Sequence, residues 1–210
     1  MAERLEKGEG ALSAGLRVAS AESAARDLTA AGLKVHSPRA GTILKSGETQ
    51  APTLWWTVGF EDEVAARPMF LIQYIRPVPP GTPHPNSASI LNALLVCVSD
   101  MEKAASAYRE IGQVIDREIP MPEFGAAAKQ VLLKSGSILL QRATDSAGPT
   151  ARRLKERGEG ILGVRIGVTD LGQARSFVGK KTSRQSDSRY WSYPKTLRAS
   201  GCNFSRPDNS

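Results

Sequence analysis

The sequence predicts an α+β protein assembled from βαβββ modules, and three observations carry that prediction. The first is an internal repeat. VASAESAARDLTAAG (18–32) and VSDMEKAASAYREIG (98–112) both run from Val to Gly over the same spacing, with a capping-type residue after the Val and alanines in the middle. A shortened third copy, VTDLGQARSFVG, begins at Val168. The second observation is a gapless match between GEGALSAGLRVAS (8–20) and GEGILGVRIGVTD (158–170), each preceded by a helical mixed-charge stretch, AERLEK and ARRLKER. The third is the order of local signals within one repeat, one helix among four strands, which implies a unit of about 70 to 80 residues.

In the first module, residues 15–19 read as a strand and 21–31 as an alanine-rich helix ending at Gly32. Residues 33–36, 54–58 and 69–74 read as the three strands that follow. Pro77, Pro79, Pro80, Gly81, Pro83 and Pro85 then force an extended, unpaired chain, so 78–87 is a linker. In the second module, 91–98 is apolar and rich in valine around Cys97, as suits a strand buried on both faces. Ser99, three residues before Glu102, forms a capping box that starts a helix. Met101, Ala104, Ala105, Tyr108 and Ile111 then fall on one face, and Gly112 is the expected left-handed C-cap. Strands follow at 113–119, 129–133 and 137–141, the last two joined by a tight turn at Lys134, Ser135 and Gly136. DSAGPT (145–150) reads as a second linker. The organisation is therefore a module at 1–77, a linker at 78–87, a module at 88–144, an incomplete module start at 151–179 and a basic tail at 180–210.

A βαβββ module used in series resembles the vicinal oxygen chelate superfamily of glyoxalases, extradiol dioxygenases and bleomycin-resistance proteins. More narrowly, the chain resembles the glyoxalase-like domain proteins. The matching pieces are LRVASAESAARDLTAAGL, the Trp55–Trp56 strand, PMFLIQ (68–73), His84-Pro85-Asn86, VCVSDMEKAASAYREIG and SILLQ (137–141). The resemblance implies that modules pair into cupped mixed sheets, with helices on the outer face and ligand in the concavity. It also implies that 1–77 and the stretch from 151 are both second-of-pair modules. A first module is then expected before residue 1, and a truncation or a changed reading frame after about Gly179.

Metal-using members of the superfamily carry one ligand early on a module's first strand and another, usually Glu, on its fourth. The resemblance maps these onto Ser13, Ala93 and Gly163, and onto Gln73 and Gln141. None is His, Asp or Glu, so no metal and no other cofactor is expected. His36 ends a short strand, and His84 lies in turn chemistry without a placed carboxylate partner. Cys97, inside an apolar strand, is expected to be a buried thiol with a raised pKa.

What remains for a site is the cup. Gln73 and Gln141 come from corresponding strands and are expected to point into concavities, where a buried amide suits a small polar ligand. Trp55 and Trp56 alternate faces, one toward the concave side and one toward the helices. His84 and Asn86 complete the ligand-binding candidates, and packing is the alternative role for the glutamines and tryptophans. The favoured function is binding a small oxygenated molecule without metal. The alternatives are a lyase, isomerase or dioxygenase-type enzyme with unassigned catalytic residues, and nucleic-acid binding through the tail.

Composition narrows the partners. The 210 residues carry a formal net charge of +7, of which +5 lies at 180–210 among Tyr190, Trp191 and Tyr193. Nucleic acid is therefore expected as a partner only through that tail. No apolar run exceeds six residues, which excludes a membrane-spanning helix, and no apolar signal segment follows Met1. Two cysteines, Cys97 and Cys202, make no disulfide framework, so the cytoplasm is the expected compartment. Sheet edges left without a partner module favour a homodimer.

Overall fold

The structure, a computed structural model, describes residues 11–43, 52–61, 68–76 and 83–182. Residues 77–82, which include the first half of the expected 78–87 linker, and most of the basic tail lie outside the described residues. Two mixed sheets with helices packed on them make up the described chain.

The first sheet has the order β1-β4-β3-β2, from β1 (Ala14–Arg17), β2 (Arg39–Gly41), β3 (Trp55–Val58) and β4 (Met69–Tyr74). β1 and β4 are parallel, and the other neighbours are antiparallel. Helix α1 (Ala21–Ala30) follows β1, with Ser20 Oγ accepting from the Ser23 amide at 3.1 Å. Its end is set by Gly32, whose φ of +86° lets the Leu33 amide reach the Leu28 carbonyl at 2.9 Å. The core beneath α1 is small: Ala21, Ala25, Val58 and Leu71, with Leu16, Leu28 and Trp56 half-buried against them. Residues 33–36 do not form the expected strand. They make a single bridge, Val35 to Phe60, and Pro38, which has no amide to donate, separates it from the three-residue β2.

The second sheet has the order β6-β7-β8-β5-β9, from β5 (Ala88–Cys97), β6 (Gln113–Met121), β7 (Ala126–Leu132), β8 (Ser137–Ala143) and β9 (Gly160–Val168). β5 and β8 are parallel, as β1 and β4 are. Helix α2 (Met101–Tyr108) covers one face, with Met101, Ala104, Ala105 and Tyr108 buried against Leu94, Val96, Val131, Ile138 and Leu140. Met69 of the first sheet joins this core, and Ala14 and Leu16 pack at its margin.

Two local expectations at α2 are corrected. The N-cap is Asp100, whose Oδ1 accepts from the Lys103 amide at 3.0 Å. The Ser99 amide instead donates to Glu159 Oε1 at 2.6 Å. Glu102 does not turn back to the cap, because its carboxylate pairs with Lys129 Nζ, a 6% exposed residue on β7, at 2.6 Å. Gly112 is not left-handed either: it is required for space, since a Cβ there would stand 2.5 Å from the Leu132 carbonyl oxygen. With Ser20 and Asp100 established, Asp170 is the third member of the set. Its Oδ1 accepts from the Gln173 amide at 2.9 Å, at the start of α4 (Leu171–Thr182).

Helix α3 (Pro149–Arg157) begins inside the segment expected to be a linker, with Pro at its first turn. It contacts β8, β5 and β9, and its Thr150 is fully buried. β9 then runs antiparallel to β5 along the edge that β8 leaves open. Ile90, Leu91, Val164 and Ile166 are exposed where these two strands continue as a ribbon.

Candidate functional site

Strand register decides which side chains share a face. The two modules superimpose in sequence at Val18 and Val98, and both amides bond to the fourth strand: Val18 to the Ile72 carbonyl, Val98 to the Gln141 carbonyl, each at 2.9 Å. Gln141 therefore corresponds to Ile72 and not to Gln73, which stands one residue along and faces the other way. This corrects the expectation that both glutamines look into concavities. Gln73 shares its face with Leu71, on the α1 side, and its Oε1 accepts from the Ala21 amide at 2.8 Å. An unsatisfied amide at the first turn of α1 is what draws it there.

Gln141 is placed differently. Leu139, two residues earlier, belongs to a cluster on the face opposite α2 with Ala93, Leu95, Met121, Ala126 and Ala128, and Phe124 and Leu162 pack at its margin. Alternation puts Gln141 on that face. It is 0% exposed, its Oε1 accepts from Thr150 Oγ1 at 3.4 Å, and its Nε2 has no hydrogen-bond partner. A buried donor left unpaired costs about 1–3 kcal/mol. Beside it across the sheet stands Cys97, followed by Gly160. Burial pushes the Cys97 thiol up to about 11, and the Arg153 guanidinium opposes that rise. Cys97 is thus an inert neutral thiol at ordinary pH, as its apolar strand implies.

The other candidates lie elsewhere. Trp56 packs into the core under α1, whereas Trp55, on the opposite face, lays its indole over Gly41, its strand neighbour. His84 and Asn86 form a turn: the Ser87 amide donates to the His84 carbonyl at 2.9 Å, and Asn86 Oδ1 accepts from the Ala88 amide at 3.1 Å. Ser87 Oγ and the Pro85 carbonyl then hold Asp170 and Gln173 at the start of α4. His36 is a surface residue with Nδ1 3.5 Å from Glu61 Oε1. The six candidates are therefore divided among both faces of the first sheet, a turn and the second sheet, and Gln141 alone stands on the latter's apolar face. Thr150 lies in the segment expected to be a linker, although Pro149 before a charged periodic stretch is a helix-start signal.

The donor set does not fit a divalent cation. With the register corrected, the early and late positions are Ser13 and Ile72 in one module and Ala93 and Gln141 in the next, which supply a hydroxyl and an amide. Among the described residues no three His, Cys, Asp or Glu side chains come together.

Repeated first strands, capped helices and parallel first–fourth strand pairs define a modular α+β protein of the βαβββ type. A family model for the glyoxalase-like domain matches residues 1–112, more than half of the chain, and the chain belongs to that family. No curated protein matches it in sequence. Similar solved structures include methylmalonyl-CoA epimerase from Streptomyces coelicolor with 2-nitronate-propionyl-CoA, at 16% identity and a TM-score of 0.42 over 45% of this chain and 71% of that one. The Mycobacterium tuberculosis methylmalonyl-CoA epimerase is 20% identical with a TM-score of 0.41, over 45% of this chain and 65% of the other, just under two thirds of its length. A hypothetical protein from Bacillus halodurans C-125 is 19% identical with a TM-score of 0.40, over 44% and 67%.

Proposed function

We propose that the chain binds a small oxygenated molecule on the apolar face of the second sheet, with Gln141 Nε2 donating to one of its oxygens. The observation that supports this reading is the orphaned donor itself. A fully buried amide whose carbonyl is held by Thr150 presents an oriented N–H on a floor of Ala93, Leu95, Ala126, Ala128 and Leu139. Apolar walls supply burial for a ligand's carbon skeleton, and one convergent polar group orients it. The reading uses no metal, and its compartment is the cytoplasm. It keeps the modular division at 1–77, 88–144 and 151–179, with 180–210 outside the binding unit.

Thermal denaturation of the full chain against a panel of short keto acids, hydroxy acids and their esters tests the reading. At least one compound should raise the wild-type Tm and leave Gln141→Leu unmoved. If none shifts the wild type while Gln141→Leu is simply more stable, Gln141 is an ordinary buried amide and the reading fails.

A further inference from the structure

Register sorts the faces of the first sheet as it does those of the second. Arg17, Ile72, Thr57 and Arg39 stand opposite one another in a row across β1, β4, β3 and β2. Tyr74, Trp55 and Gly41 form the next row on one side, and Phe70 and Gly15 pair on the other. Alternation puts all of them on the face away from α1, because Trp56, Val58 and Leu71 lie under that helix. The second sheet meets the first through Ala14, Leu16 and Met69, which share the α1 side, and so does not cover this face.

The rings on this face lie down, and glycines on the two edge strands make room for them. A Cβ at Gly41 would fall within the five-membered ring of Trp55, against Nε1, Cε2 and Cδ1 together. The indole therefore rests on its neighbour strand by one π-face and turns the other outward. A Cβ at Gly15 would stand 3.2 Å from Phe70 Cζ and 3.3 Å from its Cε2, so this ring leans over the opposite edge. Trp55 and Phe70 are partly exposed, and Tyr74 beside Trp55 is 40% exposed. Phe70 and Tyr74 are four residues apart on β4, about 13 Å. Arg17 and Arg39, both exposed, flank the row between them, three strand spacings or about 14 Å apart. AGLR, RAG, WWTV and MFLIQY contain no Asp or Glu, so these two guanidiniums are the only formal charges of the four strands.

We infer that this face docks single-stranded nucleic acid, with bases stacked on Trp55 and Phe70 and phosphates held by Arg17 and Arg39. Reclining rings offer the flat surface that an unpaired base needs, and stacking of that kind tolerates any base. Two platforms about 13 Å apart, with a cation on either flank, match a partner that repeats ring and anion along its length. A duplex keeps its bases inside the stack and cannot use the platforms. Composition assigns nucleic acid to the tail alone, whereas strand register assembles the same aromatic and basic pairing on a folded surface. The inference is independent of the ligand reading and concerns the other sheet and another class of partner.

Fluorescence anisotropy of labelled oligothymidylate and oligouridylate, titrated with the full chain over a range of salt, tests it. Both should bind, and a duplex of equal length should bind about tenfold more weakly. Arg17→Gln with Arg39→Gln should weaken single-strand binding about tenfold. It should also make the slope of log Kd against log salt shallower by about 1.4, or about 0.7 for each phosphate released. Trp55→Ala should cost about tenfold, and Trp55→Phe less. The exposed arginines keep the test decisive if Trp55→Ala misfolds. In Trp56→Phe with Trp191→Phe, Trp55 is the last of the three tryptophans, and oligonucleotide should quench its emission. Absence of binding by the wild type, emission unmoved at saturation, or equal affinity for the duplex overturns the inference. So does affinity that survives Arg17→Gln with Arg39→Gln but is lost in Lys180→Gln, Lys181→Gln and Arg184→Gln together, since the tail would then be the binding element.

Discussion

The two sheets are built to one plan and held together to different degrees. Each has a parallel first–fourth strand pair and a helix capped at the same repeat position, by Ser20 in one and Asp100 in the other. Yet the first closes over Ala21, Ala25, Val58 and Leu71, while the second buries Leu94, Val96, Val98, Met101, Tyr108, Val131, Ile138 and Leu140 under its helix. Burial on that scale follows from strand length: β5 and β6 run ten and nine residues, β1 and β3 four each. Repeating a module thus preserves register and capping more faithfully than it preserves a core. The difference also reaches the face away from the helix, where one register position carries Ile72 and the other Gln141.

Equivalent substitutions offer the sharpest way to break this comparison. Leu71 and Leu140 occupy the same repeat position, so Leu140→Ala should cost about 4 kcal/mol and Leu71→Ala about 2 kcal/mol in denaturant unfolding. Equal costs would dissolve the contrast between the cores. Next in size is the polar difference: Gln141→Leu combined with Thr150→Val should raise the stability of the ligand-free protein by about 1–2 kcal/mol, because the pair removes an unpaired donor without orphaning the buried Thr150 hydroxyl. A loss of stability would show that the amide is already satisfied. Cap deletions should sharpen the shared part of the plan, with Ser20→Ala and Asp100→Ala each costing about 1 kcal/mol in the same assay. The Cys97 thiol adds a pH dependence confined to the second sheet. Its folded pKa, about 11, lies above the ordinary 9.0, so its contribution is complete below pH 9 and is lost as pH rises through about 11. Stability measured from pH 8 to 11 should therefore fall more steeply in the wild type than in Cys97→Ala. The smallest effect belongs to the exposed Arg142–Glu118 pair, 3.1 Å apart, where Arg142→Ala should cost under about 1 kcal/mol.

Much of the plan was legible because hydrophobic period and repeat spacing are local properties. The buried face of Met101, Ala104, Ala105 and Tyr108, the β4 strand and the turn at Gly136 all came from such signals, whereas the glyoxalase-like group came from resemblance to a known family. What escaped depended on partners distant in sequence. Glu102 leaves the cap because Lys129 lies across from it, and Gly112 is small because the Leu132 carbonyl approaches it. The two-glutamine site dissolved for a subtler reason: Gln73 and Gln141 look alike in MFLIQ and SILLQ, but hydrogen-bond register sets them one residue apart. A strand's composition gives its period, whereas only its neighbour gives its phase.

Helix α3 has one more consequence. It seats Thr150 on Gln141 and packs on β8, β5 and β9 at the Gln141 end of the apolar face, whose floor runs back along β5 from Cys97 toward Ala93. Four strand residues measure about 13 Å. On the binding reading proposed above, a molecule anchored by an oxygen at Gln141 would lie against a ruler, and its chain length, rather than its charge, would be the property by which this face sorts one compound from another.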